Sequence, residues 1–355
     1  MSTRSHLLRF AAFPTVAVVA MAVSALPAVA KSSPEVLLDG LSSPKGLVVV
    51  DGGNPVVSQG AFGPPGPVLA YQLRGRDHGT TVDITGPLGL TDLAVDPEGV
   101  GWGIGGDRVL YRQGENGEPE PIFDIAAYQK TDPDPYNTNG PIRESNPYAV
   151  TALPSGDVLV ADAAANDIIR VTPSGDAWTV ARFTPEIVST DHIPASEGLP
   201  PQMPAEAVPT TMSIGPGGDI LVGQLIGFPF TPGASHVWRL DPNAQGAVCS
   251  STAPNARCSV YRSGFTGIQD IAYDPRNRAL YVYELAAEGV LAFEEGFATG
   301  EFPPAVLLKV MGGKRTELAA GQLSEPGGVA VGRPAGQVLV TDGMFSSGRL
   351  LRVVR

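Results

Sequence analysis

Residues 146–175 read Asn146-Pro-Tyr-Ala-Val-Thr-Ala-Leu-Pro-Ser-Gly-Asp157-Val-Leu-Val-Ala-Asp162-Ala-Ala-Ala-Asn-Asp167-Ile-Ile-Arg-Val-Thr-Pro-Ser-Gly175. An apolar run meets a Pro-Ser-Gly-Asp turn, a second run follows, then Asn166-Asp167, then a third. Short apolar or β-branched runs cut by Gly, Pro, Asn and Asp are strands joined by tight turns. Three such strands form a meander that cannot enclose a core alone, so the reading requires further copies.

The chain supplies them. Aligned on the turn, Pro44, Leu90, Pro147, Pro209, Ile268 and Pro326 recur as markers at intervals of 46 to 62 residues. A period near fifty with four strands per unit is the signature of a β-propeller blade. The second runs are expected at 56–59, 101–104, 159–162, 221–224, 281–284 and 339–342. Third runs are expected at 68–73, 108–112, 167–171, 236–240, 289–293 and 348–353, and outer fourth strands at 81–85, 121–125, 179–183, 259–262 and 316–319. The sixth unit has no fourth strand of its own, whereas residues 35–38 stand before the first unit with nothing earlier to join. Pairing residues 35–38 with residues 349–353 would complete the last blade and satisfy an open sheet edge. The expected fold is therefore all-β: a six-bladed β-propeller over residues 31–355, closed by an N-terminal strand.

Residues 1–30 read as a cleaved signal peptide. Arg4 and Arg9 form a basic start, residues 10–26 are apolar, and Ala28-Val29-Ala30 is a small-residue cleavage site. The expectation is a secreted, extracytoplasmic protein with no transmembrane anchor after cleavage. Cys249 and Cys258, the two cysteines of the chain, then read as one local disulfide pinning the hairpin between the third and fourth strands of the fourth unit. Formal net charge is −12, which disfavours nucleic acid and anionic membranes as partners. The expected partner is a protein or a small-molecule ligand, and the expected state is a monomer.

Strand ends aimed at one axis converge. The second runs end in Gln59, Ile104, Asp162, Gln224, Glu284 and Asp342, and the matching first-strand starts include Asn146, Gln269 and Glu325. The reading is a polar ring at one channel mouth. Its carboxylates Asp162, Glu284 and Asp342 are candidate ligands for Ca2+ or Mg2+, because oxygen-rich, His-poor sites suit hard cations. The competing reading is that channel mouths are wet, and polar residues end there without a ligand. A further segment, Asp132-Pro-Asp134-Pro-Tyr136-Asn137-Thr-Asn139-Gly140, has oxygen donors at alternate positions but breaks the calcium-loop pattern at Tyr136 and has no following bidentate Glu. It reads as a solvated loop. Residues 184–208, rich in proline, should lie extended over one face. In Gly227-Phe-Pro-Phe-Thr-Pro-Gly233, Phe228 and Phe230 either form a binding lip or pack under that insertion. His78, His192 and His236 sit in no nucleophilic or zinc motif, so catalytic residues are not assigned.

Several segments together resemble the ScyD/ScyE family of exported proteins: Ser145-Asn-Pro-Tyr-Ala-Val150, Val160-Ala-Asp-Ala-Ala-Ala-Asn-Asp167, Val208-Pro-Thr-Thr211, Gly227-Phe-Pro-Phe230, Gly264-Phe-Thr-Gly-Ile-Gln-Asp270, Tyr283-Glu-Leu285, Gly313-Lys-Arg-Thr316 and Glu325-Pro-Gly-Gly-Val-Ala-Val331. The resemblance runs in order through the mature chain. It implies an extracytoplasmic six-bladed propeller related to NHL-repeat and gluconolactonase-like folds, with no agreed catalytic residues to transfer. Gln224 departs from the acidic residue the resemblance implies before Leu225. Three functions follow as candidates: a binding or interaction propeller, a metal-dependent hydrolase or lyase of the lactonase-like type, and a structural envelope protein. Fold cannot choose among them.

Overall fold

The computed structural model describes residues 33–353 except 51, 139, 141, 142 and 335. The proposed leader, 1–30, lies outside the described residues. Strand β1 (Glu35–Ser42) comes first. Blade 1 follows as β2 (Leu47–Val49), β3 (Pro55–Val57), β4 (Leu69–Tyr71) and β5 (Thr81–Asp83). Blade 2 is β6 (Leu90–Val95), β7 (Gly101–Gly105), β8 (Val109–Gln113) and β9 (Pro119–Asp124), with helix α1 (Ile125–Thr131) after it. Blade 3 is β10 (Pro147–Ala152), β11 (Val158–Asp162), β12 (Asp167–Val171) and β13 (Ala177–Phe183). The insertion after it forms a two-stranded ribbon, β14 (Glu186–Ser189) with β15 (Gln202–Ala205), rather than a plain extended segment. Blade 4 uses β16 (Pro209–Ile214), β17 (Ile220–Gln224) and β18 (Ser235–Leu240); β19 (Ala247–Cys249) intervenes before its outer strand β20 (Cys258–Phe265). Blade 5 is β21 (Ile268–Asp274), β22 (Ala279–Glu284), then helix α2 (Val290–Thr299), β23 (Val306–Met311) and β24 (Lys314–Leu318). Blade 6 is β25 (Pro326–Val331), β26 (Val338–Asp342) and β27 (Ser347–Val353).

The structure is an all-β, six-bladed propeller. Each blade is an antiparallel meander, and the inner strands β2, β6, β10, β16, β21 and β25 lie side by side, with β25 against β2. Strand β1 lies outside β27, with Glu35 opposite Arg352 and Val36 opposite Leu351. The turns follow the sequence rule. In blade 3, Leu153 N donates to Asp157 O at 2.8 Å, and Gly156 sits at φ 88°, a conformation that side-chain-bearing residues rarely adopt. Strand alternation sends every second residue to each neighbouring blade, so the core lies between blades. Val158 and Val160 pack toward blade 2, whereas Leu159 and Ala161 pack toward blade 4.

Three expectations need correction. Residues 289–293 are not the third strand of blade 5: Val290, Phe293 and Phe297 recur at helical spacing and open α2, and β23 supplies the strand. The second strand of blade 2 ends one residue later than expected, because Leu90 pairs with Gly105 as Pro147 pairs with Asp162; Ile104 is buried between blades 2 and 3. The disulfide Cys249–Cys258 exists, with Cα atoms 5.2 Å apart, but it does not merely pin a hairpin. β19 runs parallel to β13 as a fifth strand of blade 3, so the bridge joins the sheet of blade 3 to the outer strand of blade 4.

Candidate functional site

The first strand of each blade starts, and the second ends, at the same rim. Most of the long connections lie on that face: 58–68 in blade 1, α1 and its following segment, the β14–β15 ribbon, 225–234 in blade 4, and 285–305 with α2 in blade 5; the connection 241–257, which carries β19, lies on the other. On the opposite face the turns between first and second strands are short, such as 153–157 and 275–278. Loops that carry binding groups gather on one side of a rigid scaffold.

Residues one position after the markers converge at the axis. Lys45 of blade 1 donates from Nζ to Tyr148 O at 2.6 Å and stands 4.1 Å from the centre of the Tyr148 ring. Tyr148 of blade 3 donates from Oη to Gln269 Oε1 of blade 5 at 3.0 Å, and Gln269 Nε2 lies 3.4 Å from Met344 Sδ of blade 6. Side chains from blades 1, 3 and 5 can touch one another only across the axis, so this trio forms a floor in the channel. Burial raises the Tyr148 phenol well above its ordinary value and keeps it a neutral donor.

One residue further along lies a second layer. Asp92 Oδ2 accepts from Val150 N at 2.9 Å, Thr211 Oγ1 from Ile271 N at 3.2 Å, and Asp270 Oδ2 from Val329 N at 2.6 Å. Each of these bonds runs from one blade to the next and fixes the stagger of neighbouring sheets. Thr211 also donates to Asp270. Burial raises the Asp92 carboxyl, and the Lys45 charge opposes that rise. Burial, then the negative charge of Asp92, pushes Asp270 up to about 6.

Above the floor stands an aromatic lip. Phe62 lies 4.6 Å from Phe345 and 6.5 Å from Tyr148, and Phe345 meets Phe293 at 5.5 Å and Phe297 at 5.1 Å. Phe62 is 49% exposed and Phe297 58% exposed. Glu325 sets this lip in place: its carboxylate accepts from Phe345 N and from Ser346 Oγ, both at 3.1 Å.

The residues expected to form a polar ring are distributed differently. Only Gln269 enters the axial floor. Gln59 Oε1, Glu284 Oε1 and Asp342 Oδ1 accept from Ser42 N (2.8 Å), Thr266 N (2.7 Å) and Ser324 N (2.8 Å), each two residues before the marker of the same blade. Asp162 accepts from Asn146 N at 2.7 Å and Ser145 Oγ at 2.6 Å. In blades 1, 3, 5 and 6 these side chains clip the end of the second strand to the segment entering the first. Asn146 takes part through its backbone and leaves its side chain exposed. Asp342 also holds Arg349 at 2.5 Å and Tyr283 Oη at 3.1 Å. Gln224 Oε1 accepts from Trp238 Nε1 while its Nε2 donates to Glu186 Oε1 at 3.0 Å, and Glu186 Oε2 pairs with His236 Nε2 at 2.8 Å. That environment needs one acceptor and one donor on a single side chain, which an amide supplies and a carboxylate does not.

Calcium or magnesium does not fit Asp162, Glu284 and Asp342 as a common ligand set. Each carboxylate is engaged by its own set of protein donors, and among the described residues no three carboxylate, imidazole or thiol groups come together as cation ligands. In 132–140 the acidic groups are also engaged: Asp132 pairs with Arg182, and Asp134, buried, accepts from Tyr136 N and Asn166 Nδ2. The loop is therefore tied to blade 3 at these two residues, while Pro135, Tyr136 and Thr138 stay exposed. Phe230 packs beside Leu285, Val290 and Phe293, whereas Phe228 remains 46% exposed. Sequence reading missed Lys45, Asp92, Tyr148, Asp270, Phe62 and Phe345. The first four stand one or two places after the markers, and that regular offset was the available signal.

No family model matches this chain, and no curated protein does. Solved structures do match. A gluconolactonase from Xanthomonas campestris superposes with a TM-score of 0.54 at 11% identity, covering 90% of this chain and 89% of that one. A streptogramin B lyase gives 0.51 at 13%, covering 91% and 97%, and a glucose dehydrogenase gives 0.55 at 14%, covering 91% and 100%. At such identities the likeness shows the fold: the chain shares the six-bladed propeller of gluconolactonases and these lyases.

Proposed function

We propose that this chain is an exported, monomeric ScyD/ScyE-like propeller that acts as an extracytoplasmic binding protein. The signal peptide 1–30 is removed, β1 closes the ring by completing blade 6, and a small-molecule or protein ligand is taken at the loop-bearing mouth of the channel. The observation that carries the reading is the exposed aromatic lip of Phe62, Phe345 and Phe297 over a floor of Lys45, Tyr148 and Gln269. Apolar walls with a few convergent polar groups are the usual make-up of a ligand site. A thermal-shift and native mass-spectrometry screen of the exported protein against sugars, lactones and aromatic acids tests it. A ligand that raises the melting temperature of the wild type but not of Phe62→Ala/Phe345→Ala supports the mouth as the site. Equal shifts in both proteins place the ligand elsewhere.

A second reading, a hydrolase or lyase of the lactonase-like type, is favoured by one observation. Asp270, held near 6 beside Asp92 and Lys45, can exchange a proton close to neutral pH. The chain's own residues would then supply a proton donor or acceptor at Asp270 and a neutral hydroxyl donor at Tyr148. Lactone turnover lost in Asp270→Asn supports this reading. Calcium retained near one per chain and removed by chelation with loss of turnover would add the metal. Absence of turnover together with saturable binding leaves the binding protein.

A further inference from the structure

One interface of the ring is built differently from the other five. Alternation along β7 puts Gly101, Gly103 and Gly105 on a single face, the one turned to blade 1, while Trp102 and Ile104 pack toward blade 3. Strand register identifies the equivalent residues elsewhere. Where blade 2 has Gly103, the other blades carry Val57, Val160, Val222, Val282 and Val340, and where it has Gly101 they carry Pro55, Val158, Ile220, Leu280 and Val338. Blade 2 thus lacks two large apolar side chains that every other interface has. Leu90 leans into the space at Gly103, where an added Cβ would strike its side chain, and Tyr111 crowds Gly105. The vacancy is not refilled. A half-open cleft of about 610 Å³ remains between blades 1 and 2, walled by Val56, Val68, Ala70, Leu90, Leu93 and Tyr111.

We infer that this cleft is a second binding site, separate from the channel mouth, and that it takes a neutral, apolar small molecule. Its volume lies within the range of drug-sized ligand pockets, roughly 300–1,000 Å³. Its wall is mainly apolar, and most of its polar groups are already engaged. Asp96 is already bonded to Trp102 Nε1 at 3.0 Å and Val100 N at 2.8 Å, and Tyr111 Oη to Asp107 at 2.7 Å. Thr85 Oγ1 is bonded to Gly86 O at 2.8 Å and Val68 N at 3.1 Å. Arg112, also in the lining, keeps its guanidinium 5.5 Å from the centre of the Trp102 ring. A ligand charge buried among the apolar residues of this wall would carry its desolvation cost. Ile84, 38% exposed and also part of the lining, offers an apolar approach to the entrance.

The test uses Nile red as a neutral apolar probe on the intact mature protein. Fluorescence titration is expected to show one saturable site per chain. Gly101 accepts a side chain: its φ is ordinary for L-residues, and an added Cβ would meet nothing nearer than Gln113 at 3.6 Å. Gly101→Phe should fill the cleft, weaken probe binding at least tenfold and leave the melting temperature equal or higher. Ala70→Leu, on the facing wall, provides a second occlusion should the first variant fold poorly. Phe62→Ala/Phe345→Ala should bind the probe as the wild type does, which separates this site from the channel mouth. Non-saturable binding, affinity unchanged by both occlusions, or loss of binding only in the lip variant would each overturn the inference. So would a wild-type dimer that Gly101→Phe converts to monomer, since the cleft would then be an interface between copies.

Discussion

Glu284 is 6% exposed, and burial lifts its carboxyl to about 7, with the Thr266 amide and the Arg315 charge opposing the rise. A carboxyl whose folded pKa lies above its unfolded value costs stability as pH rises. The unfolded chain ionises from about 4.5 while the folded one stays protonated until about 7, so stability falls across that window and stays reduced above it. Gln59 performs the same clip in blade 1 without a charge. Glu284→Gln should therefore keep the bond to Thr266 N and stabilise the protein by on the order of 2 kcal/mol at pH 8. The advantage should vanish near pH 4.5. Denaturant unfolding at both pH values measures it, and a variant less stable than wild type at pH 8 refutes it. Gln224 makes the opposite case. Gln224→Glu would set a second carboxylate against Glu186 in a buried pocket and remove the donor that Glu186 accepts, so a loss of roughly 3 kcal/mol is expected in the same measurement. A neutral outcome would mean that the Glu186–His236 pair readjusts. Both residues were visible in the sequence as strand ends. Their roles were not, because the partner amides and the Glu186 side chain come from segments whose approach depends on the closed ring.

Among the elements, the disulfide shows how a local pattern acquires a longer reach. Nine residues separate Cys249 from Cys258, and spacing alone suggests a pinned hairpin. The strand that carries Cys249 instead adds to blade 3, with Ala181 opposite Ala247 and Phe183 opposite Cys249. Replacing both cysteines by alanine should cost about 2–3 kcal/mol by loop closure alone. Hydrogen exchange should quicken in β13 and β19 as well as β20; acceleration confined to β20 would show that β19 stays docked without the bridge. First, second and outer strands were legible because Pro, Leu or Ile markers and Gly turns recur in register. The third strand of blade 5 was not. Val290-Leu-Ala-Phe293 is apolar at every position, and a run that short fits strand and helix equally well. The deciding signals lay further on, in Phe297 and in Gly300, which ends α2 at φ 78° with its N–H on Gly296 O at 2.7 Å. The floor of the channel was illegible for a related reason. Lys45, Tyr148 and Gln269 are scattered over more than two hundred residues, and only ring geometry makes them neighbours.

For the whole molecule, the question is what holds the ring shut. β1 contributes Leu41, 2% exposed, to the cluster between blades 6 and 1, with Leu37 and Leu38 packed against it. Arg352 pairs with Glu35 at 2.7 Å, Ser43 N donates to Ser346 O at 3.1 Å, and Gly60 N donates to Ser42 O at 2.8 Å. The N-terminal segment thus touches the last blade along β27 and the first blade at its rim. Deleting residues 33–43 would remove these contacts together and leave β27 as a bare edge strand, a template for pairing with other chains. Burial of Leu41 alone is worth about 2 kcal/mol, and a segment that also carries a full ladder of hydrogen bonds should be worth several. The truncated protein is expected to melt at least 10 °C lower and to form concentration-dependent oligomers by light scattering. A second truncation, residues 33–36 only, should have a much smaller effect, because Val36 is 50% exposed and the buried leucine remains. If the longer deletion melts like the full chain and stays monomeric, the six blades hold one another through their inner strands, and the terminal strand is an ornament on the rim of blade 6 rather than its closure.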